Sequence, residues 1–216
     1  KTEKDAETIK SLILTTISDY DKTELRQFGA RFRFSKLSKL IDETDVSITS
    51  NISNVRMTKK FTPDFNSQGT YTINFSNPIY NEGVAEQAVI SSGFYITGSE
   101  NLVYFDDDGL GKLRLFSINS GVKTFILTTV DVGSVDYING IIRLNNKFII
   151  ESLPDTDKQI SVYCVPDSHD VLSVRNQLVV INQSAVKVNV IVDTVATGQY
   201  SGGSNFIFSS SHEYGI

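Results

Sequence analysis

A chain of 216 residues with 40% hydrophobic and 21% charged residues is long enough to bury a core as one large domain or two small ones. A net charge of −5 argues against duplex nucleic acid or an anionic membrane as partner, and no run reaches the roughly eighteen apolar residues of a membrane helix. The one cysteine, Cys164, excludes an internal disulfide framework. The chain opens on Lys1 with no initiator methionine or secretion signal, which reads as a fragment of something longer.

Ala6, Ile9, Ile13, Thr16, Ile17 and Tyr20 recur every three or four residues, with Glu3, Lys4, Glu7 and Lys10 on other faces. This spacing predicts an amphipathic helix, and Thr2 followed by Asp5 reads as its cap. A second helix is expected over residues 22–28, capped by Asp21 and ended by Gly29. A third is expected over 36–41, capped by Ser35 and burying Leu37, Leu40 and Ile41. Helices this short do not survive alone in water, so their apolar faces must pack on each other or on a sheet.

From about residue 52 the hydrophobic period changes to two. Val55, Met57, Lys59 and Phe61 alternate with polar residues, as do Tyr71, Ile73 and Phe75. Further strands are expected over residues 88–91, 94–97, 102–105, 113–118, 124–130, 134–138, 141–144, 148–150, 160–165, 178–181 and 186–193. Asn139-Gly140 predicts a two-residue type I′ hairpin, because that turn needs positive φ at both positions. Many short strands separated by turn residues indicate an antiparallel sandwich. The Gly- and Ser-rich end, residues 196–216, reads as a mobile tail or an arm that orders on a partner.

The chemically suggestive stretch is YFDDDGLGKLRLF, residues 104–116. It fails the EF-hand register, since Gly109 at position six puts Tyr104 at one and Leu115 at twelve. Its preferred reading is a hairpin with Asp107, Asp108, Gly109 and Gly111 as a solvated turn; an exposed weak cation site is the alternative. Ser168, His169 and Asp170 are neighbours, which precludes the head-to-tail convergence of a triad, and a capped turn after Pro166 fits better. Cys164 lies on the apolar face of an expected strand and reads as a buried thiol. His212, the only other histidine, lies in the tail, so a zinc centre has no basis. No spacing matches a phosphate loop.

Arg31, Arg33, Lys36 and Lys39 are interleaved with Phe28, Phe32 and Phe34. This patch is too short for nucleic acid. It is either a strand over 30–34 with its phenylalanines inward, or a surface with some of them exposed as anchors.

One stretch resembles a known family. ISDYDKTELRQFGARFRFSKLSKLIDETDVSITSNISNVRM, residues 17–57, is similar to the C-terminal part of the baseplate wedge protein, gene product six, of T-even-type contractile-tail phages, within the baseplate-J-like group. The positions that carry it include Tyr20, Leu25, Phe32, Ser35 to Leu37, Ile41, Asp42, Asp45, Ser47 and Ile48. GSVDYINGIIRL (133–144) and VPDSHDVLSVRNQLVVI (165–181) extend the likeness. The resemblance implies a virion structural protein, assembled in the host cytoplasm, with no catalytic residues. Its wedge subunits pair through their C-terminal regions and link neighbouring wedges into a ring around the tail tube.

The expected fold is therefore α+β, an N-terminal helical segment packed on a predominantly antiparallel β-sandwich. Residues 1–60 form a helical subdomain leading into the first strand, 61–195 the sandwich, and 196–216 the tail. The strands over 178–193 are expected to return and pair near the helices. No catalytic, cofactor or metal residues are assigned, and nucleic acid and membrane are not expected partners. The expected partners are a second copy and other wedge proteins, through a candidate interface of Leu25, Phe28, Phe32, Phe34, Leu37 and Leu40. Two rivals are a carbohydrate- or receptor-binding β-module with Tyr71, Tyr80 and Tyr95 along one groove, and a hydrolase pairing Asp107 or Asp108 with a distant Glu.

Overall fold

The computed structural model describes residues 4–85, 87–126, 131–145, 147–154, 158–174 and 177–192. Among these residues two α-helices and thirteen strands follow in chain order: α1 (Ala6–Tyr20), β1 (Arg31–Phe32), α2 (Phe34–Asp42), β2 (Met57–Phe61), β3 (Tyr71–Asn74), β4 (Val89–Ser91) and β5 (Tyr95–Ile96). Then come β6 (Val103–Asp107), β7 (Leu113–Asn119), β8 (Val122–Ile126), β9 (Gly133–Asp136), β10 (Ile141–Leu144), β11 (Ile150–Ser152), β12 (Ile160–Cys164) and β13 (Val171–Leu172). The class is α+β, as the change of period from 3.6 to 2 implies.

Every strand pairing is antiparallel. A six-stranded sheet runs β2-β12-β4-β6-β7-β8 and a three-stranded one β3-β10-β9, with two-stranded pairs β11-β5 and β1-β13. Val89, Phe105, Leu115 and Val162 from the large sheet share one core with Ile73, Val135, Ile142 and Leu144 from the small one. Burying a side chain of this kind is worth about 1.5–3 kcal/mol, so this shared core is what holds the two sheets face to face.

The turns only partly follow the expectation. β9 and β10 are joined by a four-residue turn, residues 137–140, in register Asp136 with Ile141. Only Gly140 has positive φ (64°), because the Asp136 carboxylate accepts from the Asn139 backbone N–H at 3.0 Å and from its Nδ2 at 2.8 Å. The two-residue hairpin lies instead at Ser120-Gly121, with φ of 50° and 79°, between β7 and β8.

A second core belongs to the helices. Ile9, Ile13, Ile17 and Tyr20 of α1 pack with Leu25, Phe32, Leu37 and Ile41. Asp5 itself caps α1, its Oδ1 accepting from the Thr8 backbone N–H at 2.7 Å; Thr2 lies outside the described residues. The separate helix expected over 22–28 is not there. The chain leaves α1 through one π-helical turn, Asp21–Leu25, in which Asp21 keeps helical backbone angles instead of capping. Gly29, at φ 75°, then reverses the chain into β1. α2 begins at Phe34, and its cap is not Ser35: the Asp170 carboxylate accepts from the Phe34 N–H at 2.9 Å.

The segment 177–192 returns to the helices, but not as strands. Val179, Ile181, Val186, Val188 and Val190 pack on the helical core, and one turn of 3-10 helix (Gln183–Ala185) interrupts the extended chain. No backbone hydrogen bond joins residues 178–180 or 187–192 to another described residue. The alternation predicted strands because one side is half-buried, but no ladder forms there. The two cores meet at Val171, which packs against both.

Lys4 ties the start of the chain to the loop after α2 through Asp45, at 2.5 Å. That ammonium, helped by the Ser47 hydroxyl and N–H, lowers the Asp45 carboxyl from 3.8 to about 2. A folded-state pKa below the unfolded one stabilises fully above the unfolded value and is lost as pH falls toward the folded one. Thermal melts should therefore show Asp45→Asn less stable than the parent at pH 5, with the gap closing between pH 4 and pH 2. A gap that stays constant with pH would show that Asp45 acts through shape alone.

Candidate functional site

The three aspartates of residues 106–108 have three different surroundings. The hairpin reading holds: β6 and β7 pair from Val103 with Ser117 to Asp107 with Leu113. The expectation that Asp107 is a solvated turn residue does not hold. Its side chain is fully buried, Oδ1 accepting from the Val89 N–H at 2.8 Å, Oδ2 from the Gly109 N–H at 3.2 Å and from the Tyr137 hydroxyl at 2.7 Å. One carboxylate thus fastens β4, the β6–β7 loop and the β9–β10 turn together. Asp108 alone behaves as a turn residue, accepting from the Leu110 and Lys112 backbone N–H groups at 2.8 and 2.9 Å. Gly109 has no substitute: φ is 74°, and a Cβ would lie 1.9 Å from the Gly83 carbonyl oxygen.

Asp106 is also enclosed. Arg114 approaches it with Nε and Nη2, each at 3.1 Å, and the Lys123 ammonium donates to Oδ2. Burial nevertheless raises its carboxyl above the usual value, outweighing the two cations. The same cations lie over rings, Lys123 Nζ 4.1 Å from the Phe116 centroid and Arg114 Cζ 4.6 Å from that of Phe125. Among the described residues no three His, Cys, Asp or Glu side chains are grouped as a metal site.

The remaining sequence candidates have structural placements. His169, at φ 61°, packs its ring on Phe34 with centroids 5.4 Å apart, while Asp170 caps α2, so the capped-turn reading of residues 168–170 holds. Cys164 is buried in β12, and burial pushes its thiol far above the usual range. Tyr71 accepts from the Asp64 N–H and stacks on Phe61, Tyr80 donates to Glu82, and Tyr95 sits in β5. These three tyrosines lie in separate surroundings and line neither of the clefts described below. His212 and residues 196–216 lie outside the described residues.

The six candidate interface residues divide by exposure. Leu25, Phe32 and Leu37 are buried in the protomer's own helical core, so none of them is free to touch a partner directly. Phe34 and Leu40 are half-buried against that core, and Phe28 stands 73% exposed. Phe32 points inward while Arg31 and Arg33 face solvent, because successive strand residues point to opposite sides. Sequence reasoning missed a second exposed apolar group: Leu178, Val180, Ile191 and Val192 on the unpaired segment, with Ile191 85% exposed. Its signal was present, since apolar residues at both parities leave one set without a core to face.

Two clefts flank the π-helical turn. One of about 320 Å³ is lined by residues of the turn, of β1 and by Lys36; the other, of about 280 Å³, lies between α1 and α2. Tyr20, Glu24 and Lys36 border both, and Lys36 pairs with Glu24 at 2.7 Å across the divide.

No curated protein matches the chain. Residues 1–60, which hold α1, the π-helical turn, β1 and α2, match the family described as baseplate structural protein gp6, C-terminal domain III, the family of the sequence resemblance.

Proposed function

We propose that this chain is a baseplate wedge subunit that pairs with a second copy and links neighbouring wedges into a ring around the tail tube. It would do so in the virion, after assembly in the host cytoplasm, and would carry no catalytic step. Residues 1–60 with the returning segment 177–192 act as the helical part, residues 61–174 as the sandwich, and the exposed apolar residues of 178–192 provide contact surface. The observation that carries this reading is the extended run 187–192, which half-buries Val188 and Val190 against the helical core and exposes Ile191. A stretch with strand spacing, exposed β-branched residues and no ladder among the described residues is an unfilled pairing edge. Phe28 supplies a separate aromatic anchor of the type favoured at interfaces.

Light scattering of the purified chain at micromolar concentration should give a dimer. Ile191→Lys with Val180→Lys should shift it to monomer without changing its circular dichroism. A parent protein that stays monomeric throughout that range would overturn the pairing role.

A further inference from the structure

We infer that the cleft beside β1 is a docking site for an acidic, extended segment of a partner protein, held by Arg31 and Arg33. The inference rests on the assembly reading above and names the chemistry of one contact within it. Three observations converge on the cleft. The first is charge. Arg31, Arg33 and Lys36 line it with a single carboxylate, Glu24, and that carboxylate is already paired with Lys36. Neither guanidinium has an ion-pair or hydrogen-bond partner among the described residues, on a chain whose net charge is −5. Two exposed guanidinium groups at i and i+2 point to the same side of the strand and match carboxylates spaced two residues apart on an extended peptide.

The second observation is an open strand edge. Leu172, opposite Arg31 in β13, gives its N–H to Asn77 Oδ1 at 2.8 Å and accepts from Asn77 Nδ2 at 3.0 Å. Arg31 and Leu172 are therefore the pair without mutual hydrogen bonds, and the Arg31 N–H and C=O point away from β13 toward the free side. The edge is short. At Arg33 the Tyr20 hydroxyl takes both backbone groups, accepting from N–H at 3.0 Å and donating to C=O at 3.4 Å. Only one residue's worth of main chain is left to pair, so side-chain charge must supply most of the affinity. The third is Phe28, 73% exposed and next in sequence to Gln27 and Gly29, which both line the cleft.

The test uses the full chain and a fluorescein-labelled octapeptide of alternating aspartate and threonine, read by anisotropy. Binding is expected, weakening about tenfold as salt rises from about 50 to about 300 mM. Arg31→Glu with Arg33→Glu should weaken it at least about tenfold, and the asparagine–threonine peptide should not bind. Lys10→Glu with Lys39→Glu changes net charge equally, away from the cleft, and should leave binding intact. Equal loss in that control, displacement by millimolar inorganic phosphate, or no binding by the parent protein would each overturn the acidic-segment site. Light scattering on the parent protein separates the two readings: a dimeric parent that does not bind the peptide sinks the cleft alone, whereas a monomeric parent sinks the pairing role.

Discussion

Asp107→Ala is expected to lower the unfolding free energy by about 3–5 kcal/mol. The alanine deletes an acceptor serving the Val89 N–H, the Gly109 N–H and the Tyr137 hydroxyl, at a side chain with no solvent exposure. Each donor stranded away from water costs about 1–3 kcal/mol. Tyr137, half-buried in the β9–β10 turn, will recover part of this by admitting water, whereas Gly109 and Val89 are buried and have none to hand. Tyr137→Phe leaves the carboxylate two partners but also removes the acceptor of the Gly111 N–H at 3.3 Å, so it should cost about 1–2 kcal/mol. Urea denaturation at constant m-value measures both. A loss below about 1 kcal/mol for Asp107→Ala would mean that β4, the β6–β7 loop and the β9–β10 turn are held together by packing and not by the carboxylate.

The second large effect concerns Asp21. Its buried carboxylate accepts from the Ile181 N–H at 2.7 Å with one oxygen and from Arg26 Nε at 2.9 Å with the other. Asp21→Ala should cost about 2–4 kcal/mol, since it strands a backbone donor and half-frees a guanidinium. The distinguishing signature is local. Hydrogen exchange should speed up first at Ile181, Ala185 and Val186, whose amides donate hydrogen bonds in the returning segment, while amides of β6, β7 and β12 keep their protection in proportion to the remaining global stability. Uniform acceleration across the chain would show that the returning segment is not an independently releasable unit.

The two effects also mark where local pattern stops being informative. Three adjacent carboxylates look solvated because mutual repulsion is tolerable only in water, and that reasoning ignores partners. Asp106 and Asp107 are buried because Arg114 lies directly across the ladder, Lys123 is one hairpin further on, and Tyr137 arrives thirty residues later. The cap of α2 fails for the same reason: Ser35 has the right local spacing, but Asp170 takes the position from 136 residues away. Where the determining physics is local, the reading succeeds. The α1 face, the β6–β7 hairpin and the limits of β10 follow from local pattern, whereas the inward Phe32 is one of two readings that the pattern left open. Asn139-Gly140 and Ser120-Gly121 are both local turn signals, and a neighbouring carboxylate at Asp136 was enough to turn the stronger one into a longer loop.

The same alternation that located β2 and β3 also misread 186–190, because period two reports which side is covered and not whether a neighbour completes the ladder. Among the interface candidates, composition identified the right neighbourhood but not the exposure. An aromatic-rich cluster must bury most of its members to fold at all, and it leaves Phe28 outside only because Gly29 turns the chain there.

The cap from Asp170 to α2 has a consequence for how the protein is made. Helices α1 and α2 leave the ribosome before residues 170 to 190, from which their finishing bonds come, the farthest of them spanning 160 positions. At about 5–20 residues per second, those helices wait on the order of ten to thirty seconds for their partners. During that delay the nascent chain carries a half-built, greasy surface, and a chaperone or a second nascent copy has time to cover it first.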